Sequence, residues 1–204
     1  MTDLTNVITA TNLCVSRNGR LLTDPLSFTV AKGQYCQITG PNGSGKSTLL
    51  RQLAGLVLPE TGHILVQDTH CTPHEIAMRL TISYLGHADA LHRDLTGYEN
   101  FELLTGLERT DLVQLPLYER LVAHYSAGQR QKLLLHMLSD EADLWLLDEP
   151  SASLDEANCH YLEERIAGFL ALGGAVIATT HTPLAQSLVT KTITLDITNH
   201  DGGA

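Results

Sequence analysis

The segment Gly40-Pro41-Asn42-Gly43-Ser44-Gly45-Lys46-Ser47, followed by Thr48, joins a pliable backbone to one cation and several hydroxyls. That combination suits a nucleoside triphosphate. Gly40, Gly43 and Gly45 let the chain curl so that successive N–H groups converge on phosphate oxygens. A helix beginning near Lys46 would add the positive end of its dipole. Lys46 is expected to reach the β- and γ-phosphates, and the Ser47 hydroxyl to help hold Mg²⁺. Asp148 and Glu149 supply the complementary acids at the end of the apolar run Leu144-Trp145-Leu146-Leu147. Asp148 suits Mg²⁺, directly or through water, because that ion prefers hard oxygens and keeps several waters. Glu149 is placed to polarise an attacking water as a general base. A solvated acidic turn is the plainer reading of the pair; the phosphate loop upstream favours the chemical one.

These groups need a scaffold that brings strand ends and helix starts together, and the pattern supplies it. Short apolar runs at residues 7–10, 13–15, 26–30 and 35–39 read as strands, with a turn at Asn18-Gly19. The last of them runs straight into the glycine-rich loop. Residues 47–54 have helical character, residues 63–66 and 81–85 read as strands, and strand character then lapses from about 87 to 140. Thr96-Gly97-Tyr98-Glu99 fits a capping box, and Ser126 with Gln129 three places on suits a second helix start. Strand (144–147), helix (156–172), strand (175–179), helix and strand follow. Leu162, Ile166 and Phe169 share a helical face and read as core. The alternation predicts a parallel sheet carrying a helical insertion.

Composition narrows the partners. The 204 residues carry a formal charge of −10, which repels phosphate backbones and argues against nucleic acid. No apolar run is long enough to span a bilayer, and the start lacks a basic segment followed by an apolar one. The expectation is a cytosolic protein that meets a membrane through a protein partner. Cys14, Cys36, Cys71 and Cys159 show no paired spacing and read as reduced, packed thiols.

With Tyr125-Ser126-Ala127-Gly128-Gln129 placed between the loop and the Asp148-Glu149 pair, the chain resembles the ATP-binding cassette (ABC) family. The fold implied is an α/β P-loop nucleotide-binding domain with an N-terminal antiparallel β subdomain and an inserted helical subdomain. It would be one domain over residues 1–204, the insertion lying at about 88–140. The resemblance implies ATP hydrolysis with Mg²⁺ and a head-to-tail dimer of two copies. In it Ser126, Gly128 and Gln129 close over the γ-phosphate held by the other copy's loop. His181 would sense that phosphate and hold the attacking water near Glu149, and Asp155 would communicate across the dimer. Ala127 stands where the family usually has glycine, a mild departure.

Two further positions depart. His87 stands where the family carries a glutamine, adding a proton-sensitive group near Mg²⁺. The aromatic that usually stacks on adenine is missing near Ser16-Arg17, leaving Arg17 to stack by its guanidinium plane. Gly86-His87 and Thr179-Thr180-His181-Thr182-Pro183-Leu184 look like the ATP-binding subunits of haem exporters in cytochrome c biogenesis. That likeness runs from about residue 7 to 197. It implies integral membrane subunits as partners and a place on the cytoplasmic face of a bacterial inner membrane. None of the His or Cys residues is assigned to haem. Another export substrate, or a non-transport role such as iron–sulfur assembly, are the competing classes. Leu91, Leu95, Tyr98 and Phe101 face either a membrane subunit or one another.

Overall fold

Side-chain alternation along three strands sets the architecture. In the computed structural model, which describes residues 5–17, 20–86, 90–108, 115–181 and 184–196, the chain begins with β1 (Asn6–Leu13). The small pair β2 (Ser16–Arg17) and β3 (Arg20–Leu21) follows, then β4 (Leu26–Ala31), β5 (Tyr35–Thr39) and α1 (Lys46–Leu53). Next come β6 (His63–Val66), β7 (Thr69–Cys71), α2 (Pro73–Arg79) and β8 (Ile82–Leu85). The helical region holds α3 (Gly97–Thr105) and α4 (Ala127–His136), with short 3-10 turns between them at Pro116–Glu119 and Val122–His124. β9 (Leu144–Asp148), α5 (Glu156–Ala171), β10 (Ala175–Thr179) and β11 (Val189–Thr194) complete it.

Two main sheets result. One is antiparallel, ordered β4-β1-β6-β7; the other is parallel, ordered β11-β5-β10-β9-β8. Leu144 and Leu146 of β9, Ala175 and Ile177 of β10, and Cys36 and Ile38 of β5 point to one face of the parallel sheet. There they meet Leu49, Leu50 and Leu53 of α1 and the inner face of the antiparallel sheet. Trp145, Leu147, Val176 and Ala178 point to the opposite face, against α4 and α5. Both faces are buried, which is why these strands read as unbroken apolar runs. Trp145 stacks on Phe169 with ring centroids 4.1 Å apart, and its indole N–H donates to the Ser139 carbonyl at 2.8 Å. On the other face, burial in the first core pushes the Cys36 thiol up to about 12.

Several expectations are corrected. Residues 7–10 and 13–15 are not separate strands: β1 is continuous through Leu13, with Asn12 at φ 49. A register shift between Ala10 and Leu13 absorbs that residue. The helix expected after His181 is, among the described residues, a 3-10 turn at Gln186–Leu188 entered through Ala185 at φ 47. α2 and β7 went unread because each is short; α2 is held by a capping box between Thr72 and Glu75. Leu91, Tyr98 and Phe101 are 7%, 5% and 3% exposed, so their apolar surface packs inside the second core. Among the described residues of this region, the large apolar groups that reach solvent are Leu103, Leu104, Leu107 and Leu121. The Asn18-Gly19 turn and His87 lie outside the described residues.

Candidate functional site

The parallel order puts the ends of β5, β10 and β9 side by side, and the candidate residues sit at those ends, where open α/β sheets gather ligands. The glycine-rich loop leaves β5 and turns into α1, whose N-cap is Gly45 at φ 96. A side chain there would meet Val15 Cγ1 at 2.5 Å, so conformation and space both require glycine. Pro41, Asn42 and Gly43 are exposed, Ser47 and Thr48 partly so. Lys46 is 6% exposed; its Nζ donates to the Gly40 and Pro41 carbonyls at 2.9 and 3.0 Å. The ammonium is therefore threaded through the loop that it stiffens. The Ser44 hydroxyl is buried without a hydrogen-bond partner.

Asp148 closes β9 with 3% exposure. Its Oδ1 accepts from Thr179 Oγ1 at 2.7 Å, while Oδ2 is buried and unpartnered. A buried carboxylate oxygen without a donor is costly unless a cation or water meets it. Mg²⁺ fits this donor set: it takes one or two carboxylates from a protein and fills the rest with waters and phosphate oxygens. Among the described residues no three His, Cys, Asp or Glu side chains gather to hold a metal unaided. Asp148 Oδ2 and the Ser47 hydroxyl are the groups that can take it.

Glu149 turns the chain at φ 52, a conformation that non-glycine residues adopt at a cost of about 1–3 kcal/mol. Its N–H donates to both the hydroxyl and the carbonyl of Thr179, at 3.0 and 3.2 Å. So held, its Oε1 lies 3.0 Å from Nε2 of His181, which follows β10. The carboxylate and imidazole form a pair open to solvent at the sheet edge.

Ser126 caps α4, accepting from the Gln129 N–H at 3.2 Å, while Gln129 Oε1 accepts from the Ser126 N–H at 2.9 Å. Ser126 and Ala127 are exposed, so the first turn of α4 presents its N–H groups outward. A side chain at Gly128 would stand 2.9 Å from the Ser153 carbonyl. Gln131 Nε2 donates to the Pro150 carbonyl at 2.9 Å. Asp155, also exposed, caps α5 by accepting from the Asn158 N–H and side-chain amide at 2.9 and 2.8 Å. The structure thus joins the loop, Asp148, Glu149 and His181 at one edge and sets Ser126, Gly128, Gln129 and Asp155 apart. Arg17 lies on β2, of which the structure describes only the backbone there.

Thr179 and Gln131 escaped the sequence reading. The one available signal for Thr179 was a hydroxyl closing an apolar strand, in register with Asp148.

This loop, acid pair and capped serine helix define a class, and an ABC transporter family model matches residues 23–152. The chain belongs to the ABC transporter family of ATPases. Its curated relatives include the "Cytochrome c biogenesis ATP-binding export protein CcmA" of Pseudomonas savastanoi pv. phaseolicola, 38% identical over 87% of this chain and 89% of that one. The protein of the same name from Tatumella citrea is 37% identical over 91% and 94%. Among solved structures, a dimeric, post-hydrolysis state of the ATP-binding cassette MJ0796 bound to ADP and Pi superposes with a TM-score of 0.80. It covers 93% of this chain and 94% of that one at 20% identity, a likeness of fold.

Proposed function

We propose that the chain is the ATP-hydrolysing subunit of a membrane complex that exports haem, or releases a haem-loaded carrier, in cytochrome c maturation. The catalytic reading rests on one observation: Glu149 is held at φ 52 with its carboxylate 3.0 Å from His181, beside a loop built for phosphate. The residues of that loop, from Gly40 to Thr48, wrap the triphosphate, and Lys46 exchanges its bonds to Gly40 and Pro41 for phosphate oxygens. Ser47 and Asp148 would hold Mg²⁺, which would supply neutralisation of the phosphate charge. Glu149 accepts the proton of the attacking water, and His181 orients that water against the γ-phosphate. Ser126, Gly128 and Gln129 of a second copy close the far side, with Asp155 at the joint, so the working unit is a head-to-tail pair. Arg17 is assigned to the adenine and His87 to the water around Mg²⁺. The whole chain acts as one domain.

A surface groove supports the proposed partner. A groove of about 970 Å³ runs between β8, α3 and the end of α4, bordered by Tyr84, Leu104, Leu107, Met137 and Arg165. Leu104 and Leu107 are 42% and 51% exposed on its rim. An apolar-faced helix from an integral membrane subunit fits such a groove and would hold the chain at the cytoplasmic face of the inner membrane. No helix among the described residues is long and apolar enough to cross a membrane. Haem contacts are assigned to the partners. The place in cytochrome c biogenesis and export draws on the relatives' shared name and near-full coverage, and haem is the cargo proposed for it. Its test is capture of tagged Glu149→Gln protein with ATP from detergent-solubilised native membranes. Haem-carrying membrane partners support it; partners without haem keep the motor and discard the cargo, and soluble partners alone remove transport.

A further inference from the structure

Thr179 closes β10 with no exposure, opposite Asp148 in parallel register. Its hydroxyl makes two bonds whose directions chemistry fixes. The Glu149 N–H can only donate, so Thr179 Oγ1 accepts there at 3.0 Å. The single hydroxyl proton is then free for Asp148 Oδ1, 2.7 Å away, the short distance of a bond to a charged acceptor. With Oδ1 so engaged, Oδ2 is the one oxygen of Asp148 without a donor, and it is buried.

We propose that Thr179 is a positioning residue that sets the metal-binding carboxylate and the general base with one hydroxyl. It fixes the rotamer of Asp148 so that Oδ2 alone faces the metal. Together with its own carbonyl, it also anchors the Glu149 N–H and so holds the strained turn that aims the base at His181. Any loss of the hydroxyl disturbs both acids at once. The inference rests on the ATPase reading above and adds to it a residue that never touches nucleotide or metal.

Valine matches threonine in shape but offers neither the proton nor the lone pair; serine offers both. Mn²⁺ as the probe, followed by electron paramagnetic resonance with a non-hydrolysable ATP analogue bound, reads metal affinity without turnover. Partners of metal ligands are typically worth 10–100-fold in metal affinity, so Thr179→Val should weaken Mn²⁺ binding by about that factor. Thr179→Ser should restore most of it, and binding of the analogue in EDTA should be the same in all three proteins. Phosphate release should fall by roughly 10–100-fold in kcat with KM little changed, since the lost bonds act on the reacting centre. Thr179→Ala serves as a second hydroxyl-free variant if valine disturbs folding. Wild-type Mn²⁺ affinity in the valine and alanine variants would overturn the proposal, as would a serine variant as impaired as valine, which indicates packing alone. A wild-type protein that binds neither the analogue nor Mn²⁺ would overturn the ATPase reading itself, and the proposal with it.

Discussion

The sheet edge that carries Asp148, Glu149 and His181 and the helical region from α3 to α4 are assembled by different means. At the edge, strand register and short bonds to buried groups leave each side chain one position: Asp148 to Thr179 at 2.7 Å, Lys46 to the loop carbonyls. In the helical region order comes from caps and from tyrosines. Thr96 and Ser126 cap α3 and α4, Tyr125 Oη donates to the Leu117 carbonyl at 2.8 Å, and Tyr118 Oη meets His136 Nδ1 at 2.8 Å. The first region is fixed by the sheet; the second is a bundle of local bonds leaning on it. Chemistry belongs where geometry is imposed from outside the segment, and movement where it is imposed from within.

The largest effect should come from the imposed region. Glu149→Gln keeps the size of the side chain and removes its basicity, so single-turnover phosphate release should slow by on the order of 10²–10⁴ while ATP stays bound. A rate within tenfold of wild type would remove Glu149 from the role of base and leave the edge without its chemical distinction.

Next in size is a folding effect in the bundle. Leu91 is 7% exposed among apolar neighbours, so Leu91→Asp buries an unpaired carboxylate. It should cost about 3–5 kcal/mol in urea unfolding, whereas Leu107→Asp, at a site 51% exposed, should cost under about 0.5 kcal/mol. The surface variant is the one that should release the membrane partner. Equal costs for the two would mean that the bundle has no core of its own.

The fate of these residues shows what was legible beforehand. The loop, the acid pair and the capped Ser126 announce themselves through residue types that the backbone requires, and the unbroken runs at 144–147 and 175–179 foretell strands covered on both faces. The short elements α2 and β7 escape because a few residues carry no period. Leu91, Tyr98 and Phe101 show why apolar residues in an insertion cannot be assigned to a partner: spacing is the same for either face, and only three-dimensional packing separates them. Thr179 escapes for another reason. A threonine in a β-rich run looks like strand propensity until its register against Asp148 is known.

The two regions touch at Gln131, whose amide donates to the Pro150 carbonyl directly after Glu149. Gln131→Met keeps the length and removes the bond. A neutral hydrogen bond contributes about 0.5–1.5 kcal/mol, so stability should drop by no more than that. If the bundle reports its position through this contact, kcat should fall roughly threefold to tenfold with nucleotide affinity unchanged, about the same free energy expressed at the transition state. An unchanged kcat would show that the bundle and the edge communicate elsewhere, through the shared core in which Phe101 and Leu135 pack with Trp145 and Leu147.

The smallest effect concerns His136, which sits between Tyr118 and Tyr161 at ring-centroid distances of 5.8 and 5.2 Å. Burial, aided by Lys132 and Arg165, lowers its pKa from 6.5 to about 4. The imidazole is therefore neutral in the fold at pH 7. The unfolded chain binds a proton to this residue below about pH 6.5 and the folded chain does not until about pH 4, so stability falls as pH drops through that window. His136→Phe keeps an aromatic ring there but leaves the Tyr118 hydroxyl without its partner, so it should melt a few degrees below wild type at pH 7. Acidification to pH 4.5 should close that gap, because only the wild type carries the proton-linked loss at this site. A gap that stays constant with pH would mean that His136 titrates normally. The tyrosine-lined part of the bundle would then be as open to water as its outer leucines, and the contrast with the sheet edge would be sharper still.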